Sequence, residues 1–165
     1  MTERVLVAYA TKTGSTAEIA AVIAEVLVAA GLEAEALPVR KVRDLTPYGA
    51  VVLGSALYAA HWQRDANRFI GRHREALKAR KVWLFSSGPL DHRLAVQNLP
   101  LTTHAAEIVG DVPYLGHRTF GGRLDPAAPG VDALILATHQ VGDFRYWPVI
   151  RAWASEIAAT LLAPA

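Results

Sequence analysis

Short unbroken apolar runs alternate along this chain with longer stretches in which apolar residues return every three or four positions. The first run, residues 4–10, is too short for a stable helix and ends at a polar turn, so it reads as a strand buried on both faces. Residues 16–30 set Ile19, Ala20, Ile23, Val26 and Leu27 on one helical stripe, and Gly31 follows as a stop. Strands are predicted over 33–39, 50–53 and 81–85, with a long helix over 64–79. Gly54-Ser55 closes the third strand and Ser86-Ser87-Gly88-Pro89 the fourth. Beyond them, 101–109 reads as a helix, 117–121 as a short fifth strand and 125–130 as a Pro/Gly-rich loop. Closing helices are expected over 131–140 and 148–162, the second favoured by Pro148 near its first turn. No repeat, low-complexity tract or linker divides the chain, so residues 1–165 are expected to form a single domain.

Alternating strands and helices imply an α/β fold, a parallel sheet covered by helices on both faces. Ligands in such sheets sit at the carboxyl ends of the strands, beside a switch point in the topology. The three turns richest in glycine, serine and threonine follow the first, third and fourth strands. In the doubly wound order 2-1-3-4-5 those strands are neighbours, and the three turns converge.

Composition narrows the chemistry. The chain has 165 residues, 52% of them hydrophobic, enough for one sizeable core. It has no cysteine, which excludes disulfides, cysteine-ligated clusters and thiol catalysis. Redox work would therefore fall to a bound organic cofactor. The start, Met1-Thr2-Glu3-Arg4, lacks the pattern of a secretory signal, and no apolar run approaches a membrane span, so a cytoplasmic protein is expected. A net charge of +2 does not argue for nucleic acid. Between Arg64 and Lys81, however, seven basic side chains meet two acidic ones, and Arg64, Arg68 and Arg72 recur every fourth residue. That face is either simply solvated or a docking patch for an acidic partner or an anionic membrane surface.

The first turn, Thr11-Lys12-Thr13-Gly14-Ser15-Thr16, joins a strand to a helix. Unpaired backbone N–H groups, the positive end of the helix dipole and several short hydroxyls make it a site for a phosphate. The glycine-lysine pattern of nucleotide phosphate loops is absent, and so are the spaced glycines of a dinucleotide fingerprint. The first strand ends in Tyr9-Ala10-Thr11 and offers no carboxylates for magnesium. One terminal phosphomonoester, held by amides and hydroxyls, is what the turn suits.

Thr11-x-Thr13-Gly14-x-Thr16 after a first strand resembles the FMN phosphate loop of flavodoxins. The resemblance implies a flavodoxin-like three-layer sandwich, with a five-stranded parallel sheet in the order 2-1-3-4-5 and bound FMN. Thr11, Lys12, Thr13, Gly14, Ser15 and Thr16 would hold the phosphate. The second turn then flanks the flavin ring through Ser55, Ala56, Leu57, Tyr58, His61 and Trp62, with Gly54 permitting close approach and Tyr58 or Trp62 stacking on the ring. His61 is the candidate catalytic proton donor, or a surface histidine. Ser87, Gly88, Pro89 and Leu90 would cover the other side, where no aromatic residue lies between Ser86 and Arg93.

The stretch 51–56, His61-Trp62 with its basic helix, and the tail Gly142-Asp143-Phe144-Arg145-Tyr146-Trp147-Pro148 are similar to menaquinone-dependent protoporphyrinogen oxidases of this fold. That likeness implies an oxidoreductase passing electrons or hydride between the flavin and a quinone or porphyrinogen. The alternatives are an electron-transfer flavodoxin serving a redox partner protein and a non-catalytic FMN-binding protein. Residues 92–123 do not match the long insertion of the true oxidases. Of the six histidines, no pair has the helical spacing of metal ligands, so no metal site is expected. Ser55, Ser86 and Ser87 lack the glycines of a nucleophile elbow.

Overall fold

Alternate residues of each central strand face opposite cores. Val5 and Val7 point one way, Leu6 and Ala8 the other. Val52 opposes Val51 and Leu53, and Trp83 and Phe85 oppose Val82 and Leu84. Unbroken apolar runs of this kind belong to a sheet covered on both faces.

The computed structural model describes residues 3–127, 131–138 and 141–164. In chain order, β1 (Arg4–Ala10), α1 (Ser15–Ala29), β2 (Glu33–Pro38), β3 (Ala50–Tyr58), β4 (His61–Trp62), α2 (Arg64–Lys78) and β5 (Lys81–Ser87) form the first half. They are followed by α3 (Thr103–Val109), β6 (Gly116–Phe120), β7 (Arg123–Leu124), α4 (Ala133–Thr138), β8 (Gly142–Asp143) and α5 (Trp147–Leu162). The sheet runs β2-β1-β3-β5-β6 with every pair parallel. Counted along the chain, these five strands have the expected order 2-1-3-4-5. On one face α1 and α5 bury Ile19, Ile23 and Leu27 against Ile150, Trp153 and Ile157. On the other, α2 and α3 bury Phe69, Ile70 and Leu77 with Ala105 and Val109.

Two departures bear on function. The third strand continues well past Leu53, through Tyr58, because the chain folds back there as the hairpin β3–β4, with Leu57 opposite Trp62 and Tyr58 opposite His61. Its two turn residues, Ala59 and Ala60, have φ of 51° and 65°, the left-handed conformation of a type I′ hairpin, which alanine adopts at a cost of about 1–2 kcal/mol each. The basic helix stops at Lys78, and Lys81 opens β5. Arg74 caps the carbonyls of Ile108 and Val109, Lys78 pairs with Asp111, and Arg80 donates to the carbonyls of Tyr48 and Ala76. Arg64, Arg68 and Arg72 remain as an exposed row.

The loop expected over 125–130 and the helix expected over 131–140 are described only in part, since 128–130 and 139–140 lie outside the described residues. No described helix is long and apolar enough to cross a membrane.

Candidate functional site

A cleft of about 600 Å³ opens at the carboxyl ends of β1, β3 and β5. The three turns singled out in the sequence do converge there. Lys12, Thr13 and Ser15 line it from the first, Ala56, Leu57 and Tyr58 from the second, and Ser87, Gly88, Pro89 and Leu90 from the third. The Lys12 ammonium stands 4.9 Å from the centre of the Tyr58 ring, joining the first two turns by a cation–π contact.

The first turn is built by Gly14, whose φ of 94° is left-handed and whose N–H donates to Thr11 Oγ1 at 3.0 Å. Thr11 thus closes the loop with its side chain. Directly afterwards α1 begins with no side-chain cap, so among the described residues no hydroxyl or carboxylate takes up its first-turn N–H groups. Thr16 is fully buried, and its Oγ1 has no hydrogen-bond partner among the described residues. The hydroxyl of Ser87, at the end of β5, is in the same condition. Unpartnered buried hydroxyls are costly. Ser87 lines the cleft at the third turn, and Thr16 follows the first turn at the uncapped N-terminus of α1, whose N–H groups suit an anionic ligand.

The second turn holds its residues differently from the expectation. Ser55 faces inward: its Oγ accepts the N–H of Gln63 at 2.9 Å and donates to the carbonyl of Ala56, closing the hairpin onto the start of α2. Trp62 is buried at 3% exposure and turned away from the cleft, its indole donating to Ser86 Oγ at 2.9 Å. Ser86 Oγ lies 3.1 Å from His117 Nε2. An indole can only donate, so Ser86 Oγ accepts from Trp62, and its contact with His117 Nε2 continues the hydrogen-bonded chain to the edge strand. Burial pushes the His117 imidazole down to about 4, consistent with a neutral ring. His61 is exposed, stacks on His104 of α3, and lines a shallow depression with Thr102, Thr103 and Glu107 outside the cleft. Tyr58, 53% exposed, is the one aromatic residue lining the cleft among those described.

Gly54 has a packing role instead of a ligand-approach role. A Cβ there would lie 2.1 Å from Cζ of Phe85 on the neighbouring strand. Close approach is needed at the third turn, where a Cβ on Gly122 would lie 2.6 Å from Gly88 Cα and one on Gly121 2.0 Å from the carbonyl oxygen of Phe144. Hydrogen bonds from Gly88 N–H to Phe120 O and from Gly122 N–H to Pro89 O tie these backbones together.

The sequence did not signal the far wall. Leu99 and Pro100, from a stretch with no recognisable motif, line the cleft with Thr119 and Arg123. Asn98 holds that stretch to the edge strand, accepting the N–H of Thr119 and donating to the carbonyl of His117. Leu124, Val131 and Ile135 complete an apolar wall. Among the described residues no group of three or more histidine, cysteine, aspartate or glutamate side chains is placed to hold a metal ion.

Residues 6–126 match the family model of the flavodoxin domain. No protein of curated function matches the chain. Its fold is similar to that of oxidised flavodoxin 1 from Bacillus cereus, with a TM-score of 0.63 at 15% identity, over 97% of this chain and 99% of that one. A cysteine-to-serine mutant of the flavodoxin from Pseudomonas aeruginosa gives a TM-score of 0.62 at 18% identity, again over 97% and 99%. Rubredoxin oxygen:oxidoreductase of Desulfovibrio gigas gives 0.65 at 14% identity over 96% of this chain, which spans only 36% of that protein. With its sheet order, its uncapped Thr11–Thr16 turn and a family match over most of its length, the chain belongs to the flavodoxin-domain family, and its cofactor is FMN.

Proposed function

We propose that this chain is an FMN-dependent oxidoreductase that exchanges electrons, or a hydride, with a flat, largely apolar substrate of the quinone or porphyrinogen class. The observation that carries the reading is the apolar far wall of the cleft, Leu99, Pro100, Leu124, Val131 and Ile135, which extends past the three cofactor turns. A flat apolar ring seated there gains from leaving water, and pockets of this size take ligands of that kind. Bound FMN supplies the two-electron chemistry. The chain supplies the phosphate seat through Lys12, Thr13, Ser15 and the N–H groups of α1, with Thr16 as an added hydroxyl donor, and Ser87 in the third turn serves the ring. With Leu90 and Pro89 in the third turn where an aromatic shield is absent, one side of the ring stays open to a stacking substrate.

A second reading has one observation of its own. Arg64, Arg68 and Arg72 form an exposed row starting next to Gln63, which lines the cleft. Such a row suits an acidic redox partner protein, for which the chain would act as a carrier.

Reconstitution with FMN followed by a redox titration and an assay with a water-soluble menaquinone analogue separates the two. The enzyme reading expects one two-electron step and reoxidation of the reduced flavin by the quinone. Two resolved one-electron steps with no quinone turnover would establish the carrier instead. Protein that binds FMN tightly and does neither would leave storage as its role.

A further inference from the structure

Arg145 sits just ahead of α5, and its side chain is 4% exposed. Its guanidinium uses all three nitrogens. Nε and Nη2 donate to the two oxygens of Asp143 at 3.0 and 2.9 Å. Nη1 donates to Glu18 Oε2 at 2.6 Å and to the carbonyl oxygen of Ser15 at 3.3 Å, across 130 positions of sequence. One face of the group lies over the Trp147 ring at 4.8 Å. Ser15 and Glu18 belong to the first turn of α1, the turn whose free N–H groups follow Gly14.

A planar fork with fixed donors sets the direction of what it binds more tightly than a lysine does. Asp143 holds the fork from one side, and β8, which contains Asp143, is paired to β7. Glu18 also meets Arg123 at 3.8 Å. The first turn of α1 is therefore fixed from outside by a group that contributes nothing to the loop itself. Two carboxylates neutralise the guanidinium, so its effect on an anion in the loop is one of orientation and not of direct attraction.

We propose that Arg145 is a positioning residue for the FMN phosphate: it holds the first turn of α1 so that the amides following Gly14 point at one spot. The proposal rests on the FMN reading and concerns only the phosphate end of the cofactor. It makes a selective demand. Loss of Arg145 should weaken binding of FMN and leave binding of riboflavin, which lacks the phosphate, unchanged.

The test is a fluorescence titration of the apoprotein with FMN and with riboflavin, for the wild-type chain, Arg145→Met and Glu18→Gln. The expected result is a fall of about tenfold in FMN affinity for Arg145→Met, with riboflavin affinity within about twofold of wild type. Glu18→Gln, which weakens one arm of the clamp, should lower FMN affinity about threefold with riboflavin again unchanged. An equal fall for both ligands would mean that Arg145 merely stabilises the fold, and no change for either would mean that it does nothing to the loop; each overturns the proposal. If Arg145→Met does not fold, Glu18→Gln decides, and an unchanged FMN-to-riboflavin ratio there overturns it too. Wild-type protein that binds neither ligand would remove the FMN reading and this proposal together, whereas binding with an unmoved ratio would remove only the proposal.

Discussion

The imidazoles of His61 and His104 lie face to face, with centroids 3.9 Å apart and planes 12° from parallel. His61 is thereby engaged with α3, on the outer side of the hairpin that lines the cleft. Substituting His61 with alanine should cost about 1 kcal/mol of stability through the lost ring pair, seen as a lower urea midpoint. FMN affinity should stay within about twofold, and the pH profile of flavin reduction should keep its shape. An ionisation that vanishes from that profile in the variant would instead make His61 the proton donor.

Thr16 offers a sharper test of the phosphate seat. Its hydroxyl is buried without a partner among the described residues, so Thr16→Val keeps the shape and removes only an unsatisfied group. Stability of the apoprotein should be unchanged or higher, by up to about 1 kcal/mol. FMN binding should weaken at least about tenfold while riboflavin binding holds, since a hydrogen bond to a charged phosphate is worth about 1.5–3 kcal/mol.

Gly54 and Phe85 form a fitted pair. The alanine methyl at 54 would stand 2.1–2.3 Å from three atoms of the Phe85 ring, the two buried residues being partners across β3 and β5. Gly54→Ala should destabilise the fold by about 3 kcal/mol. Combining it with Phe85→Leu should cost clearly less than the sum of the two single changes in urea melts, because the residues share one space.

The Trp62–Ser86–His117 chain predicts a pH dependence. The His117 imidazole is held at about 4 by burial, below the ordinary 6.5, so the unfolded chain takes up its proton first as pH falls. Its contribution is therefore complete above about pH 6.5 and is lost progressively as pH falls toward 4. Between about pH 7 and pH 5 the loss should be about 2 kcal/mol. His117→Gln should reduce that slope, leaving the part due to His73, which burial also lowers. The carboxylates held low by their arginine and lysine partners, Asp91, Asp111 and Asp143, lose their contributions at lower pH and do not interfere.

Legibility from sequence followed the range of the interactions. The run 4–10 and the turn after it were plain because a buried parallel strand and a helix start carry their signals within a few residues. The hairpin at Ala59 and Ala60 was hidden, since its left-handed turn uses residues with no turn signature. Gly54 announced an unusual backbone need but not its cause, which is a ring on another strand. Trp62 was visible as an aromatic residue beside a cleft, while its orientation depended on Ser86, 24 positions away. Arg145 meets Glu18 and Ser15 across 127 and 130 positions, a relation that spacing along the chain does not encode.

The backbone knot of Gly88, Gly121 and Gly122 reaches further than the third turn. These residues join the end of β5, the end of β6 and the segment before α5 with no side chain between them. The N–H groups of the phosphate seat are likewise backbone, while the far wall is made of side chains whose identity the knot does not depend on. Leu99, Pro100, Val131 and Ile135 can therefore change in evolution, or in the laboratory, without moving the cofactor's frame. Related chains with the same knot and a different wall are where new ligands for this scaffold should be sought.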